Sequence, residues 1–224
     1  MDETVDYAAI AAGLAEIAAE VSVCTACELH KGRTCAVPGE GPVNADIFFI
    51  GEAPGRNEDE TGRPFVGQAG HLLEDLLEKI GLTRDDVFIG NVVKCRPPQN
   101  RDPRPEEIAA CSGYLQRQLE LLKPKVVATL GRYSMEKFFP GAKITKVHGK
   151  AERQGKRVVI PLYHPAYILR NMAAMPDAVR DMQRIPRLLE RLEQVLADEA
   201  VQGIKPPVPT PEPEAPTGEQ LSLL

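Results

Sequence analysis

Short apolar runs alternate with helical stretches along this chain, and this alternation constrains its fold most strongly. The apolar runs are Ile47–Ile50, Val87–Gly90, Val126–Leu130 and Val158–Leu162. The stretches with helical character lie near Ala69–Ile80, Pro105–Leu122, Arg132–Phe139 and about Asp177–Glu199. Strands that are apolar on both faces and alternate with helices form a parallel sheet covered on both sides. We therefore predict an α/β protein with three layers, α/β/α, around a central four-stranded parallel sheet.

The two ends of the chain differ from this central part. Apolar residues recur at helical spacing from Ile10 to Val21, which predicts an N-terminal amphipathic helix that carries Cys24 to the core. With 224 residues, of which 43% are hydrophobic, the chain can bury one large core, which we place in residues 1–200. After Val201, prolines alternate with small and acidic residues that cannot build a core. Residues 201–224 are therefore predicted to be a disordered tail.

The charge of the chain is unevenly distributed. The net charge is −5, but residues 143–187 hold ten Lys or Arg side chains against three acidic ones. This basic segment fits contact with a phosphate backbone, although its charge alone favours a solvated helix face. The sequence has neither a membrane-spanning apolar stretch of about 18 residues nor a positively charged signal segment. We expect a soluble, cytoplasmic protein with no membrane contact.

Two loops with reactive side chains follow predicted strands. Gly51-Glu52-Ala53-Pro54-Gly55 follows the first apolar run, and His164-Pro165-Ala166-Tyr167 follows the last. Open α/β sheets bind ligands at the carboxyl ends of their strands. The two loops are therefore predicted to line one shared cleft.

The chain has five cysteines, and an intracellular chain of this size is not expected to use them as a disulfide framework. Cys24 and Cys27 are separated by two residues, and Cys95 and Cys111 lie 16 positions apart. Four thiolates can hold zinc or a [4Fe–4S] cluster, and the spacing alone leaves both open. Cys35 is left over and is predicted to be a small buried hydrophobic residue.

The two loops, the cysteines and Asn91 between them resemble the family 4 uracil-DNA glycosylases, the iron–sulfur branch of the uracil-excising repair enzymes. The resemblance runs from about Val23 to Arg170. It implies a uracil-DNA glycosylase fold and a monofunctional enzyme that hydrolyses the N-glycosidic bond of uracil in DNA and leaves an abasic site. It also implies that a structural [4Fe–4S] cluster is held by four ligands, Cys24, Cys27, Cys95 and Cys111.

The resemblance assigns three residues to the recognition of the base. Phe65 is the platform on which the flipped uracil stacks. Asn91 pairs with the O4 and N3 edge of uracil, because an amide offers both a donor and an acceptor. His164 hydrogen-bonds uracil O2 as negative charge moves onto the base. Taken singly, Phe65 would be read as a core residue and Asn91 as a turn residue.

The carboxylate that activates water is assigned among the residues after the first strand. Ala53 occupies a substrate-binding position where other branches of the enzyme carry Asp. Glu52 and Glu58 are therefore the candidates for water activation, and we assign it to Glu52. The resemblance places Glu58 near uracil C5, where it would exclude the methyl group of thymine. A carboxylate can also act only electrostatically, by stabilising an oxocarbenium-like sugar.

Residues after His164 are predicted to contact DNA. Ile168 and Leu169 are placed to fill the gap that the flipped nucleotide leaves, since apolar wedges are used between base steps. Packing of this helix start on the sheet is the competing interpretation. Arg170 is predicted to bind a phosphate.

Two rival functions and two assembly expectations complete the sequence-based prediction. One rival binds uracil-DNA tightly or covalently without turnover, and the other is an iron–sulfur DNA-binding or redox module with an inactive pocket. The chain is expected to act as a monomer. Its last residues, Gln220–Leu224, resemble the peptide with which bacterial repair proteins bind the sliding clamp, although Leu224 departs from the usual Leu-Phe ending.

Overall fold

A five-stranded sheet forms the centre of the protein in a computed structural model that describes residues 5–202. The strands are β1 (Ile47–Gly51), β2 (Phe88–Asn91), β3 (Val126–Leu130), β4 (Glu152–Gln154) and β5 (Arg157–Leu162). Their order in the sheet is β2-β1-β3-β5-β4. The first four in this order are parallel, which confirms the predicted parallel sheet and its α/β class.

The fifth strand corrects the predicted count of four. β4 pairs antiparallel with β5 at the edge of the sheet, and Gly155 turns the chain between them with φ +63°. Its sequence, Glu-Arg-Gln, contains no apolar residue and is exposed or half-buried. An edge strand that the core does not cover needs no apolar run, so the pattern that found the other strands does not detect it.

Helices connect the strands in the order predicted. They are α1 (Tyr7–Val23), α2 (Arg56–Thr61), α3 (Gln68–Glu78), α4 (Pro105–Leu122), α5 (Arg132–Glu136), α6 (Ile144–Val147), α7 (Pro165–Arg170), α8 (Met175–Met182) and α9 (Arg184–Gln202). The single last helix predicted from about Asp177 is two helices, α8 and α9. Pro186 lacks the N–H that would bond to the carbonyl of Met182, so a continuous helix cannot form across this point.

The sheet is covered on both faces, which confirms the three layers. Alternate residues of β1 enter two separate cores: Phe49 packs with α3, α7 and α8 on one face, and Phe48 packs with α4 on the other. Residues of α1 pack against this second core. The parallel strands therefore carry buried residues on both sides, as their uniformly apolar sequences require.

In the part of the chain that the structure describes, no helix combines the length and hydropathy needed to cross a membrane. The helix α9 continues to Gln202, two residues past the predicted domain end. The remaining tail, 203–224, for which disorder and a clamp-binding end are predicted, lies outside the described residues.

Candidate active site and cysteine cavity

An open cavity of about 880 Å³ lies at the carboxyl ends of β1, β2, β3 and β5, and we call it the main cavity. The loops after β1 and β5 both line it, as expected from their positions at strand ends. It brings together seven of the nine residues predicted to act on base or DNA: Glu52, Ala53, Glu58, Phe65, Asn91, His164 and Arg170.

Asn91 and Phe65 meet at the end of β1. Asn91 ends β2 and is 1% exposed, and its Oδ1 has no hydrogen-bond partner among residues 5–202. A Cβ at Gly51 would lie 2.3 Å from this oxygen and 2.6 Å from Cζ of Phe65, so only glycine fits there. A buried amide oxygen without a hydrogen-bond partner requires explanation in a folded protein. A ligand in the main cavity would supply a hydrogen-bond donor to it.

His164 is the N-cap residue of α7 and directly precedes Pro165. Its Nδ1 accepts a hydrogen bond from the backbone N–H of Ala166 at 3.1 Å, so in the neutral ring the proton is on Nε2. Burial, and secondarily the charge of Arg170, lower the pKa of His164 to about 4. Its ring stacks on that of Phe65, with centroids 5.8 Å apart and an angle of 30° between the planes. His164 is therefore a neutral, oriented N–H donor at neutral pH.

Glu52 is a half-buried carboxyl group at the start of the loop after β1. Burial is the main reason that its pKa rises to about 7, and the negative charge of Asp102 adds to the increase. The positive charges of Arg132 and Arg170 act in the opposite direction. A carboxyl group that is close to half-ionised at neutral pH is suited to taking a proton from water.

The four cysteines predicted as ligands line a second cavity, which we call the cysteine cavity. Cys24 follows α1, Cys27 follows shortly after, Cys95 lies beyond β2, and Cys111 is in α4. Cys35 does not line this cavity and is half-buried near the backbone carbonyl of Glu60, so the prediction that it is a buried residue is wrong.

The surroundings of the cysteine cavity suit sulfur ligands. Arg33 donates to Sγ of Cys95 at 3.3 Å, and the backbone N–H of Lys94 donates to Sγ of Cys111 at 3.3 Å. Burial raises the pKa of Cys95, and raises that of Cys111 to about 11. Buried thiols lose their protons when a metal compensates the thiolate charge. Within residues 5–202, no three His, Cys, Asp or Glu side chains are grouped as for a single metal ion.

Comparison with known proteins agrees with this arrangement. The profile of the "Uracil DNA glycosylase superfamily" matches residues 38–185, which is more than half of the chain. The chain belongs to the uracil-DNA glycosylase superfamily. It is 46% identical to a type-4 uracil-DNA glycosylase of Archaeoglobus fulgidus over 194 residues, which cover 83% of this chain and 98% of the relative.

Two further type-4 uracil-DNA glycosylases are similarly close. The enzyme of Sulfurisphaera tokodaii is 49% identical, with 78% of this chain and 84% of the relative covered. That of Thermotoga maritima is 52% identical, with 70% of this chain and 84% of the relative covered. The resemblance found from the motifs is thereby confirmed.

Asp102 and Arg132 line the main cavity of this superfamily member, and the sequence analysis missed both of them. Arg132, just after β3, donates to the carboxylate of Asp102 and to the hydroxyl of Tyr133 at 2.8 Å, and its guanidinium lies 4.5 Å from the Tyr133 ring centroid. Gly131 precedes it with φ +89°. The strand-end rule that selected the loops after β1 and β5 applies equally to the loop after β3 and would have found Arg132.

Glu58 is bound to the backbone on both of its oxygens. Oε2 accepts from the N–H of Gly55 at 3.0 Å, and Oε1 accepts from those of Val66 and Gly67 at 2.8 and 2.9 Å. The carboxylate therefore joins the loop after β1 to the loop that carries Phe65. Its role in excluding thymine stays a prediction.

The three residues predicted to contact DNA are placed differently on α7. Ile168 is fully buried and packs in the core beneath the helix, so the prediction that it fills the gap in DNA is wrong. Leu169 is 41% exposed and lies outside the lining of the main cavity. Arg170, from the basic segment 143–187, is exposed and lines the cavity.

Proposed function

We propose that this protein hydrolyses the N-glycosidic bond of uracil in DNA, releases uracil and leaves an abasic site. The observation that carries the proposal is the main cavity, where the unpartnered Asn91 oxygen, the Phe65 ring and the neutral His164 meet at adjacent strand ends. Membership of the superfamily and about 50% identity to type-4 uracil-DNA glycosylases support uracil excision as the reaction.

Recognition of the base falls to Asn91 and Phe65. The Asn91 amide offers a donor to uracil O4 and an acceptor to N3–H, and its buried position allows no water to compete for these bonds. Cytosine would meet the Asn91 oxygen with an unprotonated N3, leaving that oxygen unpaired. The Phe65 ring provides a face on which the extrahelical base stacks.

Bond cleavage sends an electron pair from the C1′–N1 bond onto the uracil ring. His164 donates its Nε2–H to uracil O2, where negative charge accumulates, and the low pKa keeps this ring neutral and its donor fixed. Preorganised donors of this kind contribute about 3–4 kcal/mol to transition-state stabilisation. The uracil anion then takes its proton from solvent.

The sugar requires a nucleophile on C1′. In its ionised form Glu52 accepts a proton from a water molecule, whose oxygen forms the new bond to C1′. The carboxylate also stabilises the positive charge that develops on the sugar. Arg170 on the rim of the main cavity is placed to bind a phosphate, and the exposed Leu169 to fill the gap in the base stack.

We also propose that Cys24, Cys27, Cys95 and Cys111 hold a [4Fe–4S] cluster. The support is the shared cysteine cavity, together with the Arg33 and backbone N–H donors to sulfur. Four thiolates are the ligand set that such a cluster uses. When bound, the group would cross-link the end of α1, the segment after β2 and α4. Iron and sulfide content of the purified protein, with its visible absorbance, tests this assignment.

The experiment for the main proposal is excision from matched oligonucleotides that differ at one position, uracil or thymine. Alkali cleaves the strand at an abasic site, so strand scission reports release of the base. We expect scission of the uracil strand over many turnovers and none of the thymine strand. Tight binding of the uracil strand without scission would instead establish a binding protein and overturn the proposal.

We further propose that Gln220–Leu224 binds the sliding clamp and that the enzyme acts as a monomer. A tethered terminal peptide raises the effective concentration of the enzyme at newly made DNA. Capture of clamp by the full chain but not by a chain lacking Gln220–Leu224 tests the first point. Equal capture by both chains would exclude it, and light scattering measures the mass in solution.

A further inference from the structure

The backbone of Phe65 adopts an unusual conformation. Its φ of +53° lies in the left-handed region, which residues with a Cβ rarely occupy. Such a conformation persists only where the surrounding structure imposes it, and it often occurs at functional sites. The Phe65 ring is buried against His164 and Gly51, so its position depends directly on this backbone.

Arg84 holds this backbone from one side. The residue begins a short 3₁₀ turn before β2, and its side chain is 15% exposed. Nη1 donates to the carbonyl of Phe65 at 2.8 Å, and Nη2 donates to the carbonyl of Pro64 at 2.7 Å. The two arms of one guanidinium therefore fix two consecutive carbonyls.

Two acidic side chains fix Arg84 in turn. Glu40 accepts from Nη2 at 2.5 Å, and Glu74 on α3 accepts from Nη1 at 3.3 Å. Glu40 also binds Arg63 through both of its oxygens, each at 2.9 Å. Arg63 is 61% exposed, and none of its hydrogen bonds reaches the Phe65 backbone.

The opposite side of Phe65 is equally constrained. Glu58 binds the next two backbone N–H groups, those of Val66 and Gly67. A Cβ at Gly70 would lie 1.9 Å from the carbonyl oxygen of Phe65, so α3 approaches this carbonyl as closely as glycine permits. Glu58 thus accepts from the N–H groups of this segment, and Arg84 donates to its carbonyls.

We propose that Arg84 is a positioning residue for uracil excision, acting through the carbonyls of Pro64 and Phe65 to hold the Phe65 ring where the base stacks. The inference rests on the proposed function of Phe65. Arg84 lies outside the lining of the main cavity formed by the described residues, so it acts on the base only through Phe65. Arginine suits this role because its planar fork can serve two acceptors at once, whereas lysine is a point charge.

The test measures single-turnover excision from a single-stranded oligonucleotide with one uracil, at saturating protein. Loss of the stacking platform in Phe65→Ala is expected to slow excision about tenfold or more. Arg84→Met should slow it by a similar factor, and Arg84→Lys, which keeps the charge, by a smaller one. Arg63→Met is the matched control, since it removes the other partner of Glu40, and it should leave the rate unchanged.

The decisive measurement is the double variant. If Arg84 acts through Phe65, then Arg84→Met causes no further loss of rate when Phe65 is already Ala. Affinity for the same oligonucleotide with an abasic analogue should be unchanged in Arg84→Met, because that DNA has no base to stack. Additive losses in the double variant, or a loss of abasic-DNA affinity, would overturn the proposal.

Two outcomes separate this inference from the function on which it rests. No effect of Phe65→Ala on uracil excision would remove the proposed stacking role of Phe65 itself. A slow Phe65→Ala with Arg84→Met at the normal rate would leave that role intact and reject only the positioning by Arg84. If Arg84→Met does not fold, Arg84→Lys decides between the same outcomes, alone and combined with Phe65→Ala.

Discussion

The main cavity and the cysteine cavity are assembled in different ways. In the main cavity, hydrogen bonds within the chain hold His164, through the N–H of Ala166, and the Phe65 backbone, through Arg84 and Glu58. In the cysteine cavity, four thiols come from the end of α1, the segment after β2 and α4, and few hydrogen bonds reach their sulfurs. The fold thus positions the groups of the first site by its own bonds, whereas in the second site the proposed cluster would bridge the four sulfurs.

One short segment connects the two sites. Asn91 lines the main cavity and Cys95 lines the cysteine cavity, and all residues from Asn91 to Cys95 are buried. Val92 and Val93 donate to the carbonyls of Gly51 and Glu52, which keeps the segment against the loop after β1. The segment is therefore tied to the main cavity by its own bonds, and removal of a sulfur ligand should affect stability before it affects chemistry.

The largest effect is expected at a cysteine. Cys111→Ala removes one proposed ligand from α4 and should lower the free energy of unfolding by about 4 kcal/mol or more, as loss of a bound metal group does. Urea unfolding and the visible absorbance of the protein measure it. Cys35→Ala is the matched control, because Cys35 lies outside the cysteine cavity. Equal stability of the two variants would remove the contrast between the sites.

A substitution in the main cavity should affect the rate of excision strongly and the stability of the protein only slightly. His164→Ala removes the N–H donor to uracil O2 and is expected to slow excision about 100- to 1,000-fold. It should lower the free energy of unfolding by only about 1 kcal/mol, since it also removes a helix N-cap. Single-turnover excision and urea unfolding give the two values. His71→Ala, an exposed histidine of α3 outside the main cavity, is the control. A normal rate in His164→Ala would exclude the proposed donor.

Two neighbouring residues of α7, Ile168 and Leu169, should differ in their effects on stability and on excision. Ile168→Ala opens the core and should cost about 2–5 kcal/mol of unfolding free energy. Leu169→Ala removes an exposed side chain and should change stability by less than about 0.5 kcal/mol. If Leu169 fills the gap in the base stack, its loss should slow excision from duplex DNA more than from single strands. Equal slowing on both substrates would argue against that role.

The sequence predicts those parts of the molecule that residues close together in the chain determine. β3 and α4 have the predicted bounds, because an apolar run defines the strand and Pro105 and Lys123-Pro124 limit the helix. The loops of Glu52 and His164 were found because parallel strands end at the same edge of the sheet.

Other features depend on tertiary contacts that no local pattern reports. A six-residue helix such as α7 is too short to reveal its buried face, so Ile168 was assigned to DNA contact in place of the core. Asp102 lies in a loop without an apolar pattern and is held at the main cavity by its ion pair with Arg132. The hydrogen bond from Arg84 to the Phe65 carbonyl joins residues 19 positions apart, and neither residue type predicts this contact by itself.

The smallest predicted effect is a shift in the pKa of Glu52. If excision requires ionised Glu52, the rate falls as pH decreases through about 7, the pKa of this group. His164, with a pKa of about 4, does not titrate in that range. Asp102→Asn removes a negative charge that raises the pKa of Glu52 and frees Arg132 to lower it further. The midpoint should therefore shift to lower pH, by less than about one unit for a charge of this exposure.

Arg132→Met is the matched opposite of this change. It removes a positive charge that lowers the pKa of Glu52 and leaves Asp102 without its ion-pair partner, so the midpoint should shift to higher pH. Glu52→Gln should abolish the acid limb and slow excision about 100-fold or more. Rate profiles from pH 5 to 9 for all four proteins measure these shifts. Opposite shifts in the two variants assign the limb to Glu52, because Asp102 raises its pKa and Arg132 lowers it. Tyr133 responds to the same two charges, but its pKa is raised above its ordinary value and lies outside this pH range. A midpoint that moves in neither variant would assign the limb to a different group and leave Glu52 a purely electrostatic role.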